Sequence, residues 1–168
     1  KNPESVARVA SDVLQRVPSA RFGIIGEGQS INQMKSIFQS AGVTDRAVFT
    51  GNLPYPYKAL RQAKCMLMCS RYEGTPIAAL EAMGFGLPIV STPVGGMTDL
   101  VDHGLTGFLS SNETVLADHL VTLLTDHALY IRMNEETLRK FRQINDENAY
   151  CAALKSLYKS LSTVGIKI

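Results

Sequence analysis

Glu73 and Glu81 are the residues whose types and placement suggest chemistry. Seven residues separate them, across the turn Glu73-Gly74-Thr75-Pro76 and the apolar start of a helix, Ile77-Ala78-Ala79-Leu80. One carboxylate then stands at a loop tip and the other about 9 Å along a helix that starts at Thr75. The preceding run Cys65-Met66-Leu67-Met68-Cys69-Ser70 is apolar almost throughout, as in a strand buried on both faces. The unit is strand, tight turn, helix. Thr75 can N-cap the helix, and Pro76 suits its first position, where the missing N–H would be orphaned anyway. The first turn offers free N–H groups and the positive end of the macrodipole, an anion site between two acids. Carboxylates accept hydrogen bonds from vicinal hydroxyls but repel phosphates placed directly on them. The ligand implied is hydroxyl, phosphate, hydroxyl, the layout of a nucleotide sugar.

The surrounding pattern alternates strand with helix, which means an α/β fold with a parallel sheet flanked by helices. After a helical stretch from Pro3 to Val17, strands are expected near 21–26, 47–50, 65–69, 88–91 and 106–109. Helices are expected near 30–41, 56–63, 76–84 and 96–102. Strands ending at Gly26, Gly51, Ser70, Thr92 and Ser110 deliver their loops to one edge, where ligands bind in open α/β sheets. Beyond Ser110 the chain turns helical: Ser111 or Asn112 caps a helix through about Leu124, another runs from the Asp126 region to about Gln143, and Asn145 to Leu161 forms the last. The last helix carries Tyr150, Leu154, Leu157, Tyr158 and Leu161 at helical spacing; packing on the domain's own sheet is favoured over packing on another domain.

With 168 residues, 45% hydrophobic and 19% charged, the chain suits one soluble domain with one core. A net charge of +2, without a basic run interleaved with aromatics, argues against nucleic acid. No apolar stretch reaches the roughly 18 residues that span a bilayer, and no signal peptide is evident. The start at Lys1 rather than Met reads as a fragment. Cys65, Cys69 and Cys151 have no metal spacing, and the first two stand about 13 Å apart on one strand. They read as small core residues of a reduced, cytosolic protein.

The segment Ser70-Arg71-Tyr72-Glu73-Gly74-Thr75-Pro76-Ile77-Ala78-Ala79-Leu80-Glu81-Ala82-Met83-Gly84-Phe85-Gly86-Leu87-Pro88-Ile89-Val90-Ser91-Thr92 resembles the signature of the retaining glycosyltransferases of family 4. Ile24-Ile25-Gly26-Glu27-Gly28, Phe49-Thr50-Gly51-Asn52-Leu53, Val94-Gly95-Gly96 and Asp102-His103-Gly104-Leu105-Thr106-Gly107-Phe108 extend the likeness over roughly residues 20 to 125. The resemblance implies two Rossmann-like domains facing across a cleft (the GT-B fold), with this chain as the C-terminal, donor-binding one and the N-terminal acceptor domain absent from it. It implies that Glu73 contacts hydroxyls of the donor sugar, orienting it rather than acting as a general acid, and that Glu81 contacts the ribose hydroxyls. Backbone groups of Gly74, Thr75 and Ile77 would meet the diphosphate. Gly51, Asn52 and Leu53 would hold the base through the main chain, and Gly26 and Gly28 would line the cleft.

The family's usual basic pair, an Arg and a Lys that neutralise the pyrophosphate, would lie about thirty residues before the first strand, and the sequence begins too late to contain it. Asp99 stands where Glu is common, and Ala63-Lys64 where Ala-Asp is common. The resemblance further implies retaining sugar transfer to a glycan or lipid-linked acceptor in polysaccharide or lipopolysaccharide synthesis, without metal or other cofactor. The full-length protein would be cytoplasmic or peripheral at the inner face of the cell membrane, and the isolated fragment inactive. Base, sugar and acceptor stay open. A nucleotide-sugar 2-epimerase and a non-catalytic nucleotide-sugar-binding module are the alternatives.

Gly95 and Gly96 read as a tight strand-to-helix turn near the ligand. His103, His119 and His127 lack partners at a motif spacing and read as surface residues, and Lys58, Arg61 and Lys64 as a solvated helix face.

Overall fold

The computed structural model describes residues 1–163. Helix α1 (Pro3–Arg16) opens with Pro3 in its first turn, where proline's fixed φ is already helical. Strand β1 (Phe22–Ile25) follows, then α2 (Ile31–Ser40), a 3-10 turn at Thr44–Arg46, and β2 (Ala47–Gly51). The chain continues through α3 (Tyr57–Gln62), β3 (Met66–Met68), α4 (Ile77–Gly84), β4 (Ile89–Ser91), α5 (Met97–Leu100) and β5 (Gly107–Leu109). Three helices close it: α6 (Glu113–Thr125), α7 (His127–Ile144) and α8 (Glu147–Thr163). Every element expected from the sequence is present, most strands being shorter by a residue or two at their ends.

All strand pairs among the described residues are parallel, but the ladder is split. β1 pairs with β2, and β4 sits between β3 and β5. What joins the two sheets is the core under α1. Ala7, Ala10 and Leu14 pack with Met34, Phe38 and Val43 of the β1–β2 half, while Val9 and Val13 pack with Cys69, Val90, Leu116 and Leu120 of the other. Helix α1 thus presents apolar residues in two directions, as a helix buried between layers must. A third cluster, Met68, Ala79, Met83, Ile89 and Met97, seats α4 and α5 against β3 and β4. Strand β4 is fully buried, whereas Ile25 and Val48 on the β1–β2 pair stay exposed.

Asn112 caps α6, its Oδ1 accepting from the N–H of Thr114 (2.9 Å) and Val115 (3.3 Å), and Asp126 caps α7 by accepting from Leu129 N–H at 2.9 Å. The expectation for the last helix is corrected. Tyr150, Leu157 and Tyr158 of α8 are exposed, so this apolar stripe is not packed on the domain's own sheet. Cys151 lies on the same helix and is exposed, not a core residue; Cys65 and Cys69 do fit the core, and burial pushes their thiols up to about 12 and about 11. Among the described residues no helix is long and apolar enough to cross a membrane.

Candidate functional site

At the end of β3, the backbone of Met68 and Ser70 is tied to the residue that follows β4. Thr92 donates its N–H to the carbonyl of Met68 (3.0 Å) and its Oγ1–H to that of Ser70 (2.6 Å). Three residues on, the Glu73 side chain folds back into the protein and is only 7% exposed. Its Oε1 accepts from Ser70 Oγ at 2.6 Å and from Lys1 Nζ at 2.5 Å. Burial pushes the Glu73 carboxyl up, but the hydrogen bonds from Lys1 and Ser70, with the Lys1 charge, outweigh it and hold the group below the usual carboxylate range. Glu73 is therefore a buried carboxylate kept charged.

The Glu73-Gly74 backbone rests directly on the Gly95-Gly96 turn. Gly96 N–H is shared between the carbonyls of Glu73 (3.3 Å) and Gly74 (3.0 Å). A Cβ on Gly96 would lie 2.1 Å from the Gly74 carbonyl oxygen. The turn expected from the sequence is thus also a seat for the loop that carries the first glutamate.

Thr75 does not cap α4. Pro76 occupies the N-cap in an extended conformation, no side-chain cap forms, and the helix begins at Ile77. The residue before a proline is biased away from helix, and with the loop pinned at Gly96 the chain bends at Gly74 and Thr75 before the extended Pro76. Glu81 consequently lies about 6 Å along the helix from its start at Ile77, against the about 9 Å expected from Thr75. Among the described residues the N–H groups of Gly74, Thr75, Ile77 and Ala78 meet no backbone or side-chain acceptor. Gly74, Thr75 and Ile77 are exposed, so these donors form an open cradle at the helix entrance. Half-buried Glu81 likewise has no hydrogen-bond or ion-pair partner among the described residues.

At the ends of β1 and β2 the other candidate residues come together. Gly26 N–H donates to the Gly51 carbonyl at 2.8 Å, and Thr50 Oγ1 donates to that of Ile24 at 3.2 Å. Gly51 adopts a φ of +66°, which turns the chain sharply into exposed Asn52 and half-buried Leu53. Gly28 stands apart: it is exposed, with nothing within 4 Å of where a Cβ would be. The two groups of loops share the carboxyl ends of parallel strands, the edge expected for ligand binding.

Sequence reasoning missed Lys1, Ser70 and Thr92. Lys1 lies 72 residues from Glu73 and has no local signal. Ser70 was legible in principle, standing three residues before the acid where a hydroxyl can reach it. Elsewhere, His103 and His127 are exposed as expected, whereas His119 is half-buried, 5.7 Å from His103 and stacked on Phe108 at 4.0 Å. Lys64 is exposed as expected, with its ammonium over the Tyr130 ring at 4.3 Å. No group of three or more His, Cys, Asp or Glu suited to a metal ion exists among the described residues.

A Rossmann-like α/β unit with free N–H groups and a buried acid at one strand edge is the class that fold and site define. The chain belongs to the family of glycosyl transferases group 1, whose model matches residues 1–140. It is 28% identical over 137 residues to N-acetyl-alpha-D-glucosaminyl L-malate synthase of Bacillus anthracis, covering 80% of this chain and 36% of that protein. It is 32% identical over 119 residues to the Vi polysaccharide biosynthesis protein of Salmonella typhi, covering 70% and 21%. The chain thus spans well under half the length of these relatives. Its solved neighbours are GT-B glycosyltransferases. The pneumococcal O-GlcNAc transferase in complex with UDP and GlcNAc matches with a TM-score of 0.81 at 18% identity, over 99% of this chain and 34% of that one. The C-terminal domain of a glycosyl transferase group 1 family protein from Francisella tularensis matches with 0.73 at 20% identity, over 86% and 79%.

Proposed function

We propose that this chain is the donor-binding half of a retaining glycosyltransferase that moves a sugar from a nucleoside diphosphate sugar to a hydroxyl acceptor. The observation that carries it is the pairing of an exposed, unsatisfied N–H cradle at Gly74, Thr75 and Ile77 with a charged, buried Glu73 on one side and unpartnered Glu81 on the other. The N–H groups suit a diphosphate, Glu73 the hydroxyls of the donor sugar, and Glu81 those of the ribose. Gly51, Asn52 and Leu53 offer main-chain groups to the base, and Gly26 lines the cleft beside them. Gly28 keeps a place at the mouth of the cleft only. Lys1, beside Glu73, supplies positive charge near the diphosphate, so one cation of the kind expected further upstream is present.

Catalysis would come from stabilising the leaving diphosphate electrostatically as its charge develops, at the helix entrance and Lys1. Glu73 acts as an orienting carboxylate. The acceptor site would belong to a partner domain of the kind that the longer relatives have room for, and the acceptor to a cell-envelope polysaccharide or lipid intermediate assembled in the cytoplasm. No metal takes part in this scheme. Calorimetric titration of the chain with UDP, GDP and ADP tests it: one nucleotide should bind, and the corresponding nucleotide sugar more tightly. Failure of all three to bind would overturn the donor-site assignment.

A further inference from the structure

Glu73 has two carboxylate oxygens, and both of its hydrogen bonds converge on one of them. Oε1 takes Ser70 Oγ and Lys1 Nζ, while Oε2 has no protein donor among the described residues. The two donors are unequal. Lys1 is 71% exposed, so its ion pair is loosely held and screened by salt. Ser70 is 2% exposed and its carbonyl is tied to Thr92 of the neighbouring strand end, so its hydroxyl is a fixed point of the fold. A buried donor in a fixed place sets the direction of a carboxylate far more firmly than a long, solvated one.

We propose that Ser70 is a positioning residue, whose hydroxyl fixes the rotamer and charge of Glu73 so that Oε2 faces outward to accept from a donor-sugar hydroxyl. This rests on the reading of Glu73 as the sugar-orienting acid. Ser70 itself is buried, with its hydroxyl spent on Glu73. Its effect passes through Glu73, and through that residue it selects for the sugar end of the donor and not for the nucleotide. The orientation is set before any ligand arrives, because the Ser70 to Glu73 bond lies within one short loop held at Thr92 on one side and at Gly96 on the other.

The test has two independent readouts on the chain itself. The first is an NMR titration of the side-chain carboxyl of Glu73, assigned with Glu73→Gln, in the wild type, Ser70→Ala, Ser70→Thr and Ser70→Cys. Removing the hydroxyl should raise the Glu73 midpoint by about half a unit or more, Ser70→Thr should restore it, and Ser70→Cys, similar in size but a weak donor, should fall between. The second is affinity for UDP and for UDP-N-acetylglucosamine. Ser70→Ala should weaken the sugar nucleotide about tenfold while changing UDP less than about twofold. An unmoved midpoint, or an equal fall in both affinities, would overturn the positioning role. If the wild type binds no nucleotide at all, the proposed function fails and the carboxyl titration still decides whether Ser70 holds Glu73.

Discussion

A Cβ built on Gly95 would stand 1.7 Å from the carbonyl oxygen of Glu73. No side chain fits there, and Gly95 also has a φ of +46° that other residues adopt at a cost. The turn after β4 and the loop after β3 are therefore packed backbone on backbone, and the position of the first candidate acid depends on a residue 22 places away. Gly95→Ala should lower stability by about 1–3 kcal/mol and displace the Glu73 loop. Urea unfolding and calorimetry with a nucleotide sugar check it: a stable variant with unaltered affinity would mean that the loop tolerates displacement.

Glu81 gives a prediction of the opposite kind. Having no hydrogen bond or ion pair to lose among the described residues, it contributes little to folding, so Glu81→Ala should leave the melting temperature nearly unchanged. Loss of two charge-assisted hydrogen bonds to a ribose should instead weaken nucleotide binding about ten- to a hundredfold. An altered melting temperature with normal binding would reverse the assignment.

The fold was legible because its elements are short, periodic and well punctuated. Asn112 and Asp126 are caps by type and position, Gly51 ends a strand, and Gly26 and Ser70 stand just past one. Glu73, Gly74 and Glu81 could be picked out as candidates because all three stand on one strand-turn-helix unit. What escaped notice depends on distance in the chain. Lys1 reaches Glu73 across the domain, Gly95 and Gly96 touch Glu73 and Gly74 through atoms every residue has, and His103 meets His119 across a strand and a helix. Thr75 misled because a helix N-terminus is decided by where the preceding loop is pinned as well as by residue preference. The α8 stripe misled because periodicity reports an apolar face but not what covers it.

Lys1→Met keeps the length of the side chain and removes its charge. Glu73 would lose one of its two donors, so its carboxyl should rise toward the ordinary value of about 4.3. A carboxyl depressed in the fold adds stability that is present above the unfolded value and lost as pH falls through the folded one. The variant should therefore lose less stability than the wild type on acidification below about pH 5. Nucleotide affinity should fall about three- to tenfold, and its dependence on salt should flatten, because the lost contribution is a solvated charge. Calorimetry at low and high salt measures both, and an unchanged salt dependence would remove Lys1 from the anion site.

His119 makes stability depend on pH far from the candidate site. Burial, and then the neighbouring His103, push its imidazole below the usual value, with exposed Asp118 opposing. The unfolded chain binds that proton near pH 6.5 and the folded chain only at lower pH, so between the two values the unfolded state holds more protons and stability rises with pH. The contribution is complete above about pH 6.5 and is lost as pH falls through the folded value. His119→Phe preserves a ring against Phe108 but carries no proton. Denaturant unfolding at pH 7.5 and 5.5 should show a smaller loss in the variant than in the wild type, whereas equal losses would place the pH dependence on other groups.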